Sequence, residues 1–266
     1  MQFPGVMLAI VLASTTASAD PSERTDRSRL YHAIPPVAGG LLYLSLEIAI
    51  KGRIIPDECR WCESNRFDTA VRSALRWDHV RAANTISNLT GYVGNPAYAV
   101  ALLLTSSDGD WRRAYDDVMP VLQAGVFTGV VNWIGKAIAV RRRPFALFKA
   151  EAVRAKHDQD TSFFSGHTAL AFTMVTSSAT VAHLRGYRSE AALWIGGLTL
   201  ATVTGYLRIA GDAHYATDVI SGALIGAAIG IAVPLFLHHD ALTDEASVPR
   251  RISDEQPVMF SVGSAF

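Results

Sequence analysis

Charge is what this sequence of 266 residues has least of. Only 18% of the residues are charged and 50% are hydrophobic, whereas about a quarter of an ordinary soluble protein is charged. The charged residues are gathered in short stretches between long apolar runs. Because an unpaired charge at the centre of a bilayer is costly, this banding predicts a protein that crosses the membrane several times.

The net charge is zero, and there are only two cysteines. Lysine plus arginine balances aspartate plus glutamate at 24 each, so we expect no nucleic acid partner. The two cysteines, Cys59 and Cys62, stand in ECRWCE without the further ligands that a zinc site needs. If this loop lies outside the cytoplasm, we expect a local disulfide there.

Six apolar segments predict the fold class. Most are 16–23 residues long, close to the roughly 20 residues that a helix needs to cross a bilayer. They predict an all-α protein, a six-helix transmembrane bundle. The segments lie at about 33–50, 91–106, 118–140, 168–184, 190–207 and 217–238.

The chain ends and the first long loop are interpreted separately from the predicted membrane domain at 33–238. Residues 1–19 resemble a signal peptide or an N-terminal anchor, because a short apolar core precedes an Ala-Ser-Ala sequence. Residues 239–266 are a polar tail that we expect to be disordered.

In the loop at 51–90, apolar residues recur every four positions among several arginines. This spacing predicts an amphipathic helix on the membrane surface, although a helix packed on the bundle fits equally well.

The first polar motif is KAIAVRRRP, at the end of the third apolar segment. Lys136 and Arg143 are seven residues apart and therefore lie on one helix face. Two such cations can clamp a phosphate, the arginine with a fork of donors and the lysine as a point charge. Basic residues also crowd the ends of membrane helices, so this motif alone does not decide between the two interpretations.

The second motif, FSGH, begins the fourth apolar segment. Ser165 is expected to cap a helix, and Gly166 lets a ligand approach the backbone. The free N–H groups of the first turn suit an anion. His167 lies in that turn, within reach of the same ligand.

The third motif is LRIAGDAHYATD. After Arg208, His214 and Asp218 are four residues apart and share one helix face. The carboxylate can accept from one imidazole nitrogen and leave the other free to attack. The pair could instead have only a structural role and hold the loop in place. It could also bind a metal together with residues of the sequence KHDQD (His157, Asp158, Asp160). Nearby cations disfavour the metal.

Topology brings the three motifs together. Two apolar segments separate the second motif from the third, and an even number of crossings returns the chain to the face that it left. The first motif ends its segment on the same face. We therefore expect all of these polar side chains to converge on one site.

In this order the motifs resemble those of the type 2 phosphatidic acid phosphatase superfamily, which also contains vanadium haloperoxidases. Its pattern is lysine, six residues and Arg-Pro; then Pro-Ser-Gly-His; then Ser-Arg, five residues, His, three residues and Asp. The resemblance covers about residues 118–225. The chain departs from the pattern at Phe164, where the family has proline, and at Leu207, where it has serine.

The resemblance implies a metal-independent phosphatase that needs no cofactor and hydrolyses a lipid phosphate or diphosphate monoester. It makes His214 the nucleophile that forms a phosphohistidine, Asp218 the residue that orients it, and His167 the general acid. The residues that it assigns to the phosphoryl group are Lys136, Arg143, Ser165, Gly166 and Arg208. Arg141 and Arg142 lie outside the pattern and are interpreted as interfacial or head-group contacts.

Two other functions stay open on the sequence: a vanadate-dependent haloperoxidase, and a non-catalytic lipid-binding or transport bundle.

The sequence also leaves open on which side of the membrane the site lies. Six spans with an outward-facing site need a cytoplasmic N-terminus, whereas a cleaved leader would turn the site inward. Basic loops border both faces, so the positive-inside rule does not decide. We expect a bacterial inner-membrane protein with its active site on the periplasmic face.

Overall fold

The computed structural model describes residues 38–40, 58–148, 158–239 and 242. In this part of the chain the regular structure is helical, with one isolated β-bridge and no strand. The prediction of an all-α fold is confirmed there. The predicted leader, most of the first apolar segment and nearly all of the predicted tail lie outside the described residues.

Helices cover the other five apolar segments and also the loop before them. The helices are α1 (Arg66–Leu75), α2 (Val80–Leu89), α3 (Asn95–Ser106), α4 (Trp111–Ala139), α5 (Pro144–Leu147), α6 (Gly166–Arg185), α7 (Glu190–Ala210) and α8 (Ala216–Leu237). A π turn at Thr90–Gly94 joins α2 to α3, and another lies inside α7 at Leu193–Gly197.

Three helices are long and apolar enough to cross a membrane: α4, α7 and α8. Of these, α8 is the most apolar, with a mean hydropathy of 2.2. Over the described ranges the structure therefore supports three of the six expected spans by length and composition. Helix α6 has 20 residues but is rich in threonine and serine, and it occupies the centre of the bundle.

Small residues allow α6 and α8 to pack closely. A side chain at Gly226 would collide with the Ala169 carbonyl, so only glycine fits there. The hydroxyl of Thr173 donates to the carbonyls of both Ala169 and Gly226, at 2.8 and 2.9 Å. This packing sets the beginning of α6 beside the beginning of α8.

A buried ion pair fixes the opposite end of the bundle. The Arg185 Nε donates to Asp117 Oδ1 at 2.7 Å, and the Tyr187 hydroxyl donates to Asp117 Oδ2 at 2.6 Å. The same arginine also donates to the Leu242 carbonyl at 3.0 Å. These contacts hold the first turns of α4 against the last turn of α6.

Arg141 is fully buried, so its interpretation as an interfacial residue is wrong. Its guanidinium donates to Asp218 Oδ1 at 2.5 Å and to Asp68 Oδ2 at 2.6 Å. It also lies over the Trp61 ring at 3.7 Å and over the Tyr215 ring at 4.4 Å. One side chain therefore joins α1, the loop after α4 and the first turn of α8.

The face that α1 turns inward is its charged face. Asp68 is fully buried, and Arg72 donates to both carboxylate oxygens of Asp212 at 2.6 and 2.7 Å. Phe67 and Leu75 are exposed instead. A helix therefore lies within the 51–90 loop, and charge rather than apolar contact holds it on the bundle.

The loop before α1 is tied to the loop after α4. Cys59 and Cys62 form the disulfide that the sequence led us to expect. Between them, the Trp61 carbonyl accepts from the Arg142 N–H at 3.0 Å. The disulfide loop thus holds Trp61 beside the buried arginine.

Replacing Arg141 by methionine is expected to lower the free energy of unfolding by about 3–5 kcal/mol, because Asp68 and Asp218 would stay buried without their cation. Thermal unfolding in detergent measures the loss as a fall in melting temperature. The matched control is Arg142→Met, because Arg142 is 35% exposed and pairs with a single carboxylate, that of Asp160, so its loss should lower the melting temperature less than the loss of the fully buried Arg141. Equal melting temperatures for the two variants would contradict the role given to Arg141.

Candidate active site

A cavity of about 680 Å³ lies where α4 ends and α6 begins. The cavity is lined by six of the eight residues that the sequence assigned to the site. They are Lys136, Arg143, Gly166, His167, Arg208 and His214. Ser165 and Asp218 do not line the cavity and are fully buried. The structure therefore brings the three sequence motifs together, with two of the residues behind the wall.

His214 lies in the short loop between α7 and α8 and is only 2% exposed. Its Nδ1 is 2.8 Å from the Ser162 carbonyl oxygen. Because a carbonyl can only accept, Nδ1 carries the proton, and Nε2 of the neutral ring carries the lone pair. Nε2 lies 3.4 Å from Arg143 Nη1.

The contact of Asp218 differs from the one expected from the sequence. Its Oδ2 is 3.7 Å from His214 Nδ1, too far for a hydrogen bond. It accepts instead from the Ser162 hydroxyl at 2.6 Å and from the Tyr215 N–H at 3.0 Å. Ser162 thus orients the imidazole with its carbonyl and holds the carboxylate with its hydroxyl, a role that the four-residue spacing did not reveal.

The surroundings of His214 keep its ring neutral. Burial lowers the pKa of His214 well below its usual value, and the nearby charges of Arg143, Arg208 and Lys136 lower it further. The hydrogen bond to Ser162 acts in the opposite direction and is the smaller influence. A neutral imidazole keeps its nucleophilic nitrogen available at neutral pH.

His167 lies in the first turn of α6, as predicted. Its ring packs against Tyr92, with 4.2 Å between ring centroids. Among the residues that the structure describes, none bonds to its buried Nε2. An imidazole nitrogen of this kind in a cavity wall is available to a ligand.

Helix α6 begins at Gly166, and Ser165 takes the capping position. The Ser165 hydroxyl does not cap a backbone N–H, however, and bonds to the Thr168 hydroxyl at 2.9 Å. Gly166 lies against Asn132, and a Cβ there would be 2.7 Å from Asn132 Oδ1. A larger residue would have to displace the Asn132 side chain, so close packing favours glycine at this point.

The two departures from the family pattern are both packed in the interior. Phe164 is 2% exposed and lies against Gly135 of α4, where a Cβ would be 3.1 Å from the aromatic ring. Leu207 is 3% exposed and packs with Ala83 and Ala210. Each replaces the family residue with apolar contact between helices.

Arg208 is oriented by helix α2, which the sequence did not connect with the site. Its Nη1 donates to Ser87 Oγ at 3.0 Å, to Asn88 Oδ1 at 3.2 Å and to Asn84 Oδ1 at 3.4 Å. All three acceptors are neutral oxygens, so they hold the guanidinium without adding negative charge.

The metal-binding alternative gains no support from the described residues, which contain no group of three or more metal-ligating side chains. Asp158 pairs with Arg143 at 3.3 Å and Asp160 pairs with Arg142 at 2.9 Å. His157, the other residue of that alternative, lies outside the described residues.

Comparison with known proteins identifies the region. Residues 117–240 match the family model of the PAP2 superfamily. The chain is 28% identical over 205 residues to a lipid A 1-phosphatase of Porphyromonas gingivalis, and this match covers 77% of the chain. It covers 38% of that relative, so the chain spans well under half of the relative's length.

The fold is similar to that of a solved structure, a transmembrane PAP2-type phosphatidylglycerolphosphate phosphatase from Bacillus subtilis. The TM-score is 0.50 at 20% identity, over 82% of this chain and all of that one. Together with the three helices that are long and apolar enough to cross a membrane, this fold supports an integral membrane protein. Residues 117–240, which match the PAP2 superfamily model, carry all eight predicted site residues, in agreement with the resemblance of the motifs.

Proposed function

We propose that this protein is a membrane phosphatase that hydrolyses a lipid phosphate or diphosphate monoester. The observation that carries the proposal is one cavity whose wall holds two imidazoles and three cationic side chains. A nucleophile, a proton donor and a cationic clamp are the parts that phosphoryl transfer requires. Both relatives are named as phosphatases of phosphorylated lipids, which favours a lipid substrate here.

In the proposed first step, Nε2 of His214 attacks phosphorus and the bond to the lipid oxygen breaks. His167 gives its proton to that leaving oxygen, and the phosphoryl group stays on the imidazole. In the second step His167 takes a proton from a water molecule, which attacks phosphorus and releases phosphate. Throughout, Nδ1 keeps its hydrogen bond to Ser162, and Asp218 at 3.7 Å stabilises the positive charge that develops on the ring.

The proposed reaction uses no metal ion. Lys136, Arg143 and Arg208 all line the cavity and can balance the negative charge on the phosphoryl oxygens. Cations placed in advance around the reacting group stabilise its transition state without having to reorganise. This is the role that Mg²⁺ has in many other phosphoryl transfers.

We also propose the six-span layout, with α1 on the membrane surface and the site facing the periplasm. Phe67 and Leu75 are the exposed large apolar residues of α1, and their exposure suits contact with lipid at the interface. The disulfide between Cys59 and Cys62, on the same side as the cavity, suits an oxidising compartment.

The His214→Ala variant is expected to lose phosphate release by about a thousandfold or more, because no other group would replace the nucleophile. Release should be measured with EDTA present on a panel of phosphatidic acid, polyprenyl diphosphate and lipid A. The matched control is His183→Ala, because His183 pairs with Glu190 at the far end of α6. Full activity in His214→Ala, or a wild-type protein that EDTA inactivates, would refute the metal-free histidine mechanism.

The His167→Asn variant is expected to slow release from a lipid phosphate by about 100- to 10,000-fold, the usual contribution of general acid catalysis. Release from p-nitrophenyl phosphate should fall much less, since nitrophenolate leaves without a proton. Comparing the two substrates in the wild type and the variant measures the difference. Equal losses on both substrates would show that His167 is not the proton donor.

An Ala155→Cys variant tests the side of the membrane. With the site on the periplasmic face, a membrane-impermeant maleimide added to intact cells should label this cysteine. The cysteine should be labelled as completely in intact cells as in lysed cells, because residues 149–157 connect two motifs of the site. Protection in intact cells together with labelling after lysis would place the site on the cytoplasmic face.

A further inference from the structure

One carboxylate lies inside the cationic cavity. Among the described residues that line it, Asp158 is the acidic one, against Lys136, Arg143 and Arg208. Its side chain is 26% exposed, and its Oδ1 is 3.3 Å from Arg143 Nη2. Asp158 takes no part in the proposed mechanism and lies outside the three motifs.

Thr161 holds this carboxylate in place. The Thr161 hydroxyl donates to two oxygens of Asp158. Its Oγ1 is 3.1 Å from the backbone carbonyl oxygen and 3.2 Å from Oδ1. Arg143 Nη2 in turn donates to Thr161 Oγ1 at 3.3 Å. These contacts link the three side chains to one another, and Thr161 thereby holds the carboxylate beside the arginine.

The arginine in this network is also the one beside the nucleophile. Arg143 Nη2 contacts Asp158, while Nη1 is 3.4 Å from His214 Nε2. A phosphoryl group approaching Nε2 therefore comes within reach of a guanidinium that already binds an anion. A carboxylate and a phosphate are both anionic oxygen ligands that an arginine fork can bind.

The neighbouring acid provides a contrast. Asp160 is two residues further along the chain, is 8% exposed and pairs with Arg142 at 2.9 Å. Neither Asp160 nor Arg142 lines the cavity. The two acids thus have similar partners, but only Asp158 shares its cation with the proposed phosphoryl site.

We propose that Asp158 sets the affinity of the cavity for phosphate. Its carboxylate occupies Arg143 when no phosphate is bound and competes with the phosphoryl group for that guanidinium. The inference rests on the proposed function in taking this cavity as a phosphate site, but it requires no turnover.

The consequence is weaker binding of every phosphate, including the inorganic phosphate that the reaction produces. A cavity with three cations and no acid would bind substrate and product more tightly without lowering the barrier between them. Repulsion between the carboxylate and a phosphate dianion reduces the affinity, and the acid then returns to Arg143 as phosphate leaves.

The test compares Asp158→Asn with Asp160→Asn in the full-length protein in detergent. Asparagine keeps the size of the side chain and removes its charge. Isothermal titration with inorganic phosphate should show a dissociation constant about tenfold lower for Asp158→Asn than for the wild type. The constant for Asp160→Asn should stay near the wild-type value, and Asp158→Glu, which keeps the charge, should also stay near it. Because charges cause the difference, it should shrink at high salt.

The results that would overturn this inference can be told apart from those that would overturn the proposed function. If Asp158 only supports the loop, Asp158→Asn would displace Arg143 and weaken phosphate binding or leave it unchanged, which would overturn the proposal. Equal tightening in Asp160→Asn would overturn it too, because the effect would then come from net charge alone. If neither the wild type nor Asp158→Asn binds phosphate, the proposed function fails together with this inference. Wild-type binding with no change in the variant refutes only this inference.

Discussion

The guanidinium of Arg141, buried between two carboxylates, holds the active-site end of the molecule together. It bonds to Asp68 of α1 and to Asp218 of α8, and the carbonyl of the same residue accepts from the Ser162 N–H at 2.9 Å. Ser162 then contacts both Asp218 and the ring of His214. Because breaking such a pair would leave buried charges uncompensated, these segments are fixed as one unit. The orientation of the imidazole depends on that unit.

Three consecutive arginines have three different environments. Arg141 is neutralised in the interior by two carboxylates, and Arg142 pairs with Asp160 near the surface. Arg143 lines the cavity beside the imidazole. The chain leaves the helix through Val140, whose φ of 41° is in the left-handed region, so successive side chains diverge here instead of following helical spacing. The guanidinium of Arg141, which stabilises the fold, is thereby kept apart from the guanidinium of Arg143, which faces the cavity.

Much of the site could be predicted from the sequence, because its key residues lie at motif spacings and at helix ends. The apolar segments located the helices, and His167 and His214 line one cavity, as the sequence led us to expect. The contacts of Arg141 with Asp68 and of Arg208 with Asn84 could not be predicted, since they join positions 73 and 124 residues apart with no periodic pattern. The direct aspartate–histidine bond was wrong for a different reason. Four-residue spacing places two side chains on one face but does not show that a third residue, Ser162, lies between them.

The central claim is that His214 carries the phosphoryl group during turnover, and trapping that intermediate tests it most directly. Protein mixed with a lipid labelled in its phosphate should be quenched within milliseconds in alkaline detergent and digested for mass spectrometry. We expect one labelled site, at His214, with a phosphoryl bond that survives alkali and is lost in acid, as a phosphoramidate is. Rapid phosphate release with no labelled protein, or a label on any other residue, would contradict the claim.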